Sequence, residues 1–181
     1  MSSTQEQNLI ERCRNGDSSA FGLLIQPYRR QLFSYLFRLS GDRIQCEDLF
    51  QETLIKTWRG IKKYSERQKF SSWLFTIAHN TAIDNLRSRR KDEFISPADT
   101  EELKSGSDPH SDLVNSETKK MIETAMGKLS EKQKEVLLLR LYGDLSFKEI
   151  SGLTGEPINT VLSHMHYAVK KLKKFIGKRD V

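Results

Sequence analysis

The stretch EDLFQETLIKTWRGI, residues 47–61, predicts the helix around which the first half of this chain folds. Four apolar side chains recur on one side of it at helical spacing, and they require a core to cover them. They are Phe50, Leu54, Trp58 and Ile61, with Thr57 between them. The opposite side is polar apart from one isoleucine, and it consists of Asp48, Gln51, Glu52, Ile55 and Arg59. We therefore expect one side of this helix to be buried and the other to be available as a docking surface.

The segment KYSERQKFSSWLFTIAHNTAIDNLRSRRK, residues 63–91, presents aromatic side chains first and cations last. The aromatic residues are Tyr64, Phe70, Trp73 and Phe75, and the cations are Arg87, Arg89, Arg90 and Lys91. Rings that stack on bases, beside cations that neutralise phosphates, are typical of a surface for unpaired nucleic acid. The alternative from these residues alone is that the rings belong to a core and the cations form a solvated helix end, where they complement the helix dipole.

The charge of the chain favours an anionic partner. With 181 residues, a formal net charge of +6 and a sequence pI of about 9.3, the chain is long enough for one ordinary domain or two small ones. Residues 92–118 contain eight acids and one lysine, so this segment has a net charge of −7 and the positive excess lies in the flanks. Nucleic acid and an anionic membrane surface both fit such flanks.

Two cysteines, Cys13 and Cys46, are too few for a disulfide framework, and the residues around them lack metal-ligand spacing. We therefore expect reduced thiols and neither a metal nor another cofactor. No apolar run approaches the roughly 20 residues that span a bilayer, and the first residues, MSSTQEQNL, lack the apolar centre of a signal peptide. These features predict a cytoplasmic protein.

Short amphipathic helices are predicted before the opening stretch. One covers residues 5–14, a second begins under a Ser18 or Ser19 cap, and Pro27 kinks or restarts the second. Together with the stretch described above, these helices predict an all-α first domain over residues 1–91.

Residues 92–116 are rich in Ser, Pro, Gly and acids and contain little to bury. This composition predicts a flexible acidic linker. The ends of a coil of about this length lie roughly 30 Å apart. The linker therefore does not hold its two flanks at a fixed separation.

Residues 117–181 predict a second all-α domain with a helix-turn-helix layout. Two capping boxes, from Ser130 to Gln133 and from Ser146 to Glu149, begin its helices, and glycines end them. The core-facing residues of the first of these two helices are predicted to be Val136, Leu137 and Leu141.

The last helix of this domain is the predicted reader of a DNA groove. Asn159 is expected to cap it, and its buried side chains are predicted to be Val161, Met165, Ala168 and Leu172. The face that remains free contains Thr160, Ser163, Tyr167, Lys170, Lys171 and Lys174, with His164 at its edge. Hydroxyls early in the helix suit base edges, and lysines late in the helix suit phosphates. The alternative is a soluble three-helix bundle with a lysine-rich end.

Together, the two blocks resemble a bacterial sigma factor of the extracytoplasmic-function (ECF) group. EDLFQETLIKTW resembles the helix of that family that docks on the clamp helices of RNA polymerase. FSSWLFTIAHNTAIDNLRSRRK resembles the segment that opens and reads the minus-ten promoter element. LSEKQKEVLLLRLYGDLSFKEISGLTGEPINTVLSHMHYAVKKL resembles the domain that reads the minus-thirty-five element. The resemblance covers nearly the whole chain and implies a transcription initiation factor rather than an enzyme.

The resemblance also implies roles for individual side chains. Contact with core RNA polymerase is implied for Asp48, Gln51, Glu52 and Ile55. Contact with minus-ten DNA, including the melted non-template strand, is implied for Tyr64, Phe70, Trp73, Asn80, Arg87, Arg89 and Arg90. Contact with the minus-thirty-five duplex is implied for Thr160, Ser163, His164, Tyr167, Lys170 and Lys171. The family further implies an anti-sigma factor as a partner, and no insertion into a membrane is expected.

The last helix departs from the family's pattern. Basic residues are common in the family where this chain has Leu162 and His164, and an arginine is common near Tyr167. We therefore expect either an unusual upstream element or weak binding that relies on the lysines further along the helix.

Two other classes of function are weighed against the sigma factor. A self-sufficient dimeric helix-turn-helix regulator requires a self-interface, and the chain shows no heptad pattern or long apolar seam to provide one. An enzyme is less favoured, because the chain has no Gly-rich phosphate loop, no Cys/His metal set and no nucleophile beside a plausible base.

Overall fold

A computed structural model of the chain describes the backbone of residues 2–65, 69–95 and 116–176, and the side chains of residues 2–65, 69–88 and 122–175. The described residues form helices and the turns between them, and none of them lies in a strand. The predicted all-α class is therefore confirmed. Within the same residues, no helix is long and apolar enough to cross a bilayer.

The chain divides into two compact units, Met1–Asp108 and Pro109–Val181. The division falls inside the segment predicted as the linker, of which residues 96–115 lie outside the described part of the chain. The flexibility of that segment and the three domain boundaries given above stay predictions.

The first unit consists of helices joined by short turns. The helices are α1 (Ser3–Arg14), α2 (Ser18–Ile25), α3 (Arg29–Ser40), α4 (Arg43–Gly60) and α5 (Phe70–Ile95), with a 3₁₀ turn (Ile61–Lys63) after α4. α3, α4 and α5 pack against one another, while α1 packs on α2 and on the 3₁₀ turn.

The breaks between the first helices have local causes. The cap of α2 is Asp17 rather than Ser18 or Ser19, because its carboxylate accepts from the backbone N–H groups of Ser19 and Ala20. These backbone bonds, chiefly that from Ala20, and the side-chain bond from Arg12 lower the pKa of Asp17. The helix restarts around Pro27 as predicted, since α2 ends at Ile25 and α3 begins at Arg29.

The buried side of α4 is turned slightly from the predicted one. Phe50 and Ile61 are buried, but Leu54 and Trp58 are only half-buried. Their places in the core are taken by Cys46, Leu49, Thr53 and Thr57. The buried hydroxyl of Thr57 has a partner, because it donates a hydrogen bond to the backbone oxygen of Thr53 at 2.7 Å. Thr57 is thus buried as the pattern predicted, and Thr53, one turn before it, joins it in the interface.

Two polar side-chain pairs fix α5 against its neighbours in the first unit. The hydroxyl of Tyr35 on α3 lies 3.1 Å from Nδ1 of the buried His79 on α5. The amide of Gln45 on α4 donates to Oδ1 of Asn85 at 2.6 Å. Because a buried polar group is costly without a partner, these pairs favour one alignment of α5 over its alternatives.

The second unit packs its described helices around the last one. They are α6 (Ser116–Gly127), α7 (Glu131–Tyr142), α8 (Phe147–Thr154) and α9 (Ile158–Ile176). α9 contacts α6, α7 and α8. Both predicted capping boxes are present, at Ser130 and at Ser146. Gly155 ends α8 in the left-handed conformation, with φ of 71°.

Two expectations for this unit are wrong. Leu141 is 64% exposed, because five consecutive residues of α7 from Glu135 to Leu139 are buried and the core contact ends before it. Asn159 does not cap α9, since the helix begins at Ile158 and the oxygen of Pro157 accepts from the N–H groups of Thr160 and Val161. Asn159 therefore lies inside the first turn of α9.

Ser146 caps a helix of only eight residues, so its loss should be visible in the stability of the second unit. Its hydroxyl accepts from the N–H of Glu149 at 3.2 Å, and Glu149 accepts from the N–H of Ser146 in return. We expect Ser146→Ala to lower the free energy of unfolding by about 1 kcal/mol. Urea unfolding followed by circular dichroism measures the change. Ser146→Thr keeps the hydroxyl and is the control; equal stability of the alanine variant and the wild type would contradict the cap.

Both thiols should be protected from reagents in the folded chain. Cys13 and Cys46 are free and buried, and burial raises the pKa of the Cys13 thiol. Because the thiolate is the reactive form, we expect a thiol reagent at pH 8 to label neither cysteine until urea unfolds the chain. Asn8→Cys, an exposed position on the same helix as Cys13, is the control and should react at once. Equal labelling rates at the native and the introduced cysteines would show that the first unit opens readily.

Candidate polymerase and nucleic-acid interfaces

The polar side of α4 is exposed, as its pattern predicted. Asp48, Gln51, Glu52 and Ile55 are all exposed, and Glu52 pairs with Lys56 at 2.8 Å. One further residue extends this surface: Ile44, one turn before Asp48, is 74% exposed. Ile44, Asp48, Gln51 and Ile55 recur at i, i+4, i+7 and i+11 and therefore share one side of the helix. We call these four residues, with Glu52, the α4 surface.

Ile44 was missed because the sequence stretch was taken to begin at Glu47, whereas α4 begins at Arg43. Stepping back four residues from Asp48 would have found it. The α4 surface thus has an apolar side chain near each end, since Ile55 is 50% exposed. The two exposed isoleucines on one face of the helix make this side a candidate contact surface.

Most of the aromatic residues that precede the basic segment form a buried cluster. The ring of Phe70 is 5.7 Å from those of Tyr28, Tyr64 and Trp73, measured between centroids. Tyr64 and Trp73 lie 4.9 Å apart. Burial raises the pKa of Tyr28, whose hydroxyl donates to Glu6. The aromatic residues are therefore each other's neighbours in the core rather than a row of free rings.

This burial corrects one predicted DNA contact. Phe70 is 0% exposed at the first position of α5, so a base cannot stack on it in this conformation. Tyr64 is 6% exposed, and its backbone oxygen accepts from the guanidinium of Arg14 at 2.8 Å. Trp73 is half-buried. A Cβ placed on Gly60 would lie 3.2 Å from Cζ2 of Trp73, so the absence of a side chain at Gly60 gives the indole its place.

One side of α5 brings three of the predicted minus-ten residues into a row. Trp73, Asn80 and Arg87 are spaced by seven residues, which places them on the same side of a helix at two-turn intervals. Asn80 and Arg87 are exposed. Arg89 and Arg90 continue α5, but their side chains lie outside the described residues, as do positions 66–68 of the preceding loop.

The exposed side of α9 is defined by its buried side. Val161 and Ala168 are buried and Met165 and Leu172 are half-buried, which confirms the predicted core row. Directly opposite, at i, i+4, i+7 and i+11, lie the exposed residues Asn159, Ser163, His166 and Lys170. We call these four the outer row of α9. Tyr167 is also exposed, at 53%, and Thr160 is half-buried, both to one side of this row.

Two of the predicted duplex contacts are engaged within the second unit. Nε2 of His164 lies 3.2 Å from Oε2 of Glu156, at an ion-pair distance without the alignment of a hydrogen bond. Nζ of Lys171 donates to the backbone oxygen of Lys128 at 3.3 Å and to Oε1 of Gln133 at 3.0 Å. His164 and Lys171 thus connect α9 to the rest of the unit, and they lie at the edge of the exposed side rather than at its centre.

Glu156 is itself part of a small network of ion pairs. Lys132 lies 3.3 Å from Glu156 and 2.9 Å from Glu135. The hydrogen bond to Glu135 is the main cause that raises the pKa of Lys132. The sequence did not predict this network, because Glu156 lies in a turn where no periodic pattern indicates its partner.

The fold and these surfaces define a two-unit, all-α protein in which a helix-turn-helix unit follows a helical unit with an exposed polar helix side. Two family models match the chain: "Sigma-70 region 2" over residues 24–92 and "Sigma-70, region 4" over residues 119–172. The chain belongs to the ECF group of RNA polymerase sigma factors, which are transcription initiation factors.

Relatives of known name span nearly the same length. The RNA polymerase sigma-H factor of Pseudomonas aeruginosa is 30% identical over 179 residues, which cover 94% of this chain and 93% of that relative. The ECF sigma factor SigL of Mycobacterium tuberculosis is 33% identical, with 83% and 85% covered. SigW of Bacillus subtilis is 29% identical, with 91% and 93% covered.

Solved structures show the same fold. The sigma factor RpoE of Bartonella quintana, solved with the anti-sigma factor NepR, has a TM-score of 0.71 at 24% identity and is covered to 98% by 89% of this chain. CnrH, solved with the cytosolic domain of CnrY, has a TM-score of 0.65 at 18% identity, with 97% of this chain and 99% of CnrH covered. The all-α fold is thus shared with these two solved structures.

Phe70 and Asn80 were both predicted to contact minus-ten DNA, but their surroundings predict very different effects of alanine substitution on stability. We expect Phe70→Ala to lower the free energy of unfolding by about 3–5 kcal/mol, because it empties a site among three aromatic neighbours. We expect Asn80→Ala, at an exposed position, to change it by less than about 0.5 kcal/mol. Urea unfolding of the two variants measures both values. A stable Phe70→Ala variant would mean that the ring is not part of the core.

Proposed function

We propose that the chain joins core RNA polymerase through the α4 surface. The observation that supports this proposal is that Ile44 and Ile55 are exposed on the same side of α4 as Asp48 and Gln51. A partner that covers this side gains from removing the isoleucines from water, while the polar residues between them set orientation through hydrogen bonds. Glu52 is tied to Lys56 and forms the rim of this contact.

We propose that the row on α5 holds the melted strand of the minus-ten element. Asn80 has both donors and an acceptor with which to read a base edge, and Arg87 lies two turns further on to neutralise a phosphate. Arg89 and Arg90 extend that cationic end. Trp73 offers the half-buried indole at the start of the row, and Tyr64 supports that indole from beneath.

The upstream duplex is proposed to contact the exposed side of α9. Ser163 and Tyr167 supply hydroxyls for base edges, and Lys170 supplies charge for phosphates. Thr160 stands beside them in the first turns. His164 and Lys171 act indirectly, because their contacts with Glu156 and Gln133 hold the helix in place.

Core polymerase is proposed to set the spacing between the two DNA contacts. Promoter elements two helical turns apart are separated by about 70 Å, which exceeds the roughly 30 Å relaxed span of the linker as a coil. The free chain should therefore bind promoter duplex weakly, and the holoenzyme should bind and melt it. We place this activity in the cytoplasm and propose that the chain itself catalyses no reaction.

An anti-sigma factor is the second proposed protein partner. The family commonly has such inhibitors, and a protein that covers the α4 surface would prevent the contact with polymerase. Competition between an inhibitor and core polymerase for Ile44 and Ile55 is the simplest form of this regulation, since one surface serves both partners.

Run-off transcription with purified bacterial core polymerase tests the proposed function. We expect start-site-specific transcripts with the wild-type chain, and at least a tenfold loss of core affinity in the double variant Asp48→Ala plus Gln51→Ala, because residues near the centre of an interface contribute most to binding. Pull-down of core polymerase by the tagged chain measures that affinity. Ile44→Ser plus Ile55→Ser should lower it similarly.

The matched control is Gln7→Ala plus Asn8→Ala, two exposed polar positions on α1 that should leave both measurements unchanged. Failure of the wild-type chain to bind core polymerase would overturn the proposal. Tight binding of promoter duplex by a stable dimer without polymerase would instead support the self-sufficient regulator.

A further inference from the structure

The outer row of α9 begins with a residue that the sequence pattern assigned to a different task. Asn159 was expected to cap the helix, and a capping side chain turns back onto the backbone. The helix instead begins at Ile158, so Asn159 occupies the first turn and its side chain is exposed. Among the described residues, no hydrogen bond is found for its side-chain amide.

The position of Asn159 suits contact with bases. In a helix-turn-helix, residues near the N-terminus of the second helix contact base edges in the major groove. Asn159 lies opposite the buried Val161 and in line with Ser163 and Lys170, so the side chain stands at the centre of the exposed side. Lys170 on the same row follows three turns later, where its charge suits a phosphate on the wall of the groove.

The chemistry of the amide selects one base. An asparagine side chain offers an acceptor and a donor side by side, and adenine presents the matching N6 donor and N7 acceptor in the major groove. Guanine presents two acceptors there, which call for arginine or lysine. In the described part of α9 the Lys and Arg residues all stand at Lys170 or later, so the first three turns of this helix contain none of the lysine or arginine side chains that most commonly contact guanine.

Ser163, the next residue of the outer row, supports the same preference. Its hydroxyl donates to the backbone oxygen of Asn159 at 2.8 Å. With its hydrogen used in this way, Ser163 Oγ can only accept from a base, and adenine N6 and cytosine N4 are the donors in the major groove. Two successive positions of the row thus favour a base with an exocyclic amino group.

We propose that Asn159 reads an adenine in the upstream promoter element and is a main source of the sequence preference of the second unit. The inference rests on the proposed role of α9 in reading that element, and it adds the base and the residue. His164, whose imidazole faces Glu156, takes no direct part in this readout.

Selection of promoters by the holoenzyme tests the proposal. Core polymerase with the full-length chain is incubated with duplexes whose upstream region is randomised, and bound sequences are counted. We expect one position at which adenine is enriched about tenfold over the other bases, and we expect Asn159→Ala to abolish that enrichment while the other positions keep theirs.

Two further variants make the test specific to hydrogen-bond chemistry. Asn159→Asp keeps the size of the side chain but can only accept, so the preference should move from adenine to cytosine. Asn159→Arg should move it to guanine. Lys170→Ala is the matched control from the same row, and it should weaken binding to all sequences alike with a smaller salt dependence.

The outcomes separate this inference from the proposed function. Core-dependent enrichment of an upstream sequence that is identical in the wild type and in Asn159→Ala would overturn the inference and leave the proposed function standing. A holoenzyme that enriches no upstream sequence, or a chain that does not bind core polymerase, would overturn both. Circular dichroism of each variant confirms that the exposed substitution leaves the fold intact.

Discussion

A helix in a small bundle can bury only one of its sides, and the surfaces of this sigma factor follow from that constraint. Each unit packs a few helices around one core, so α4, α5 and α9 keep a side in water. On α4, Leu49, Thr53 and Thr57 point inward, and the side that carries Asp48 and Ile55 is left outside. Ile44 and Ile55 are two apolar side chains that this side leaves exposed. The exposed sides that remain are thus the complements of the buried ones.

Much of this fold could be predicted from hydrophobic periodicity and helix caps. They predicted where helices begin and end better than which side of a helix is buried. The breaks at Pro27 and Gly155 and the boxes at Ser130 and Ser146 were predictable, because they depend on residues within a few positions of each other. The buried side of α4 was misjudged by a fraction of a turn, since Cys46, Leu49 and Thr53 were left out of the predicted buried stripe. A threonine that donates to the preceding turn can be buried, and only the neighbouring helices decide whether it is.

Contacts between residues that are far apart in the sequence could not be predicted from sequence patterns. Arg14 binds the backbone of Tyr64, and Tyr35 meets His79, although neither pair has a local signal in the sequence. The aromatic cluster is a similar case. Its members were recognised, but composition could not tell a ring that faces a base from a ring that supports one. Phe70 packs against its aromatic neighbours, where it holds the start of α5 and the indole of Trp73 in position.

The second unit shows why rigid placement matters for reading DNA. At one edge α9 is held by His164 against Glu156, and further along by Lys171 against Gln133 and Lys128. Both contacts lie on the side of the helix that faces α7 and the preceding turn, so they leave the outer row untouched. A surface that is already ordered loses less conformational entropy when it binds, and a short side chain such as that of Asn159 can reach a base edge only if its backbone is well placed. His164 and Lys171, whose chemistry suggested DNA contact, thus hold the helix in place, while Asn159 and Ser163 lie at the centre of its exposed side.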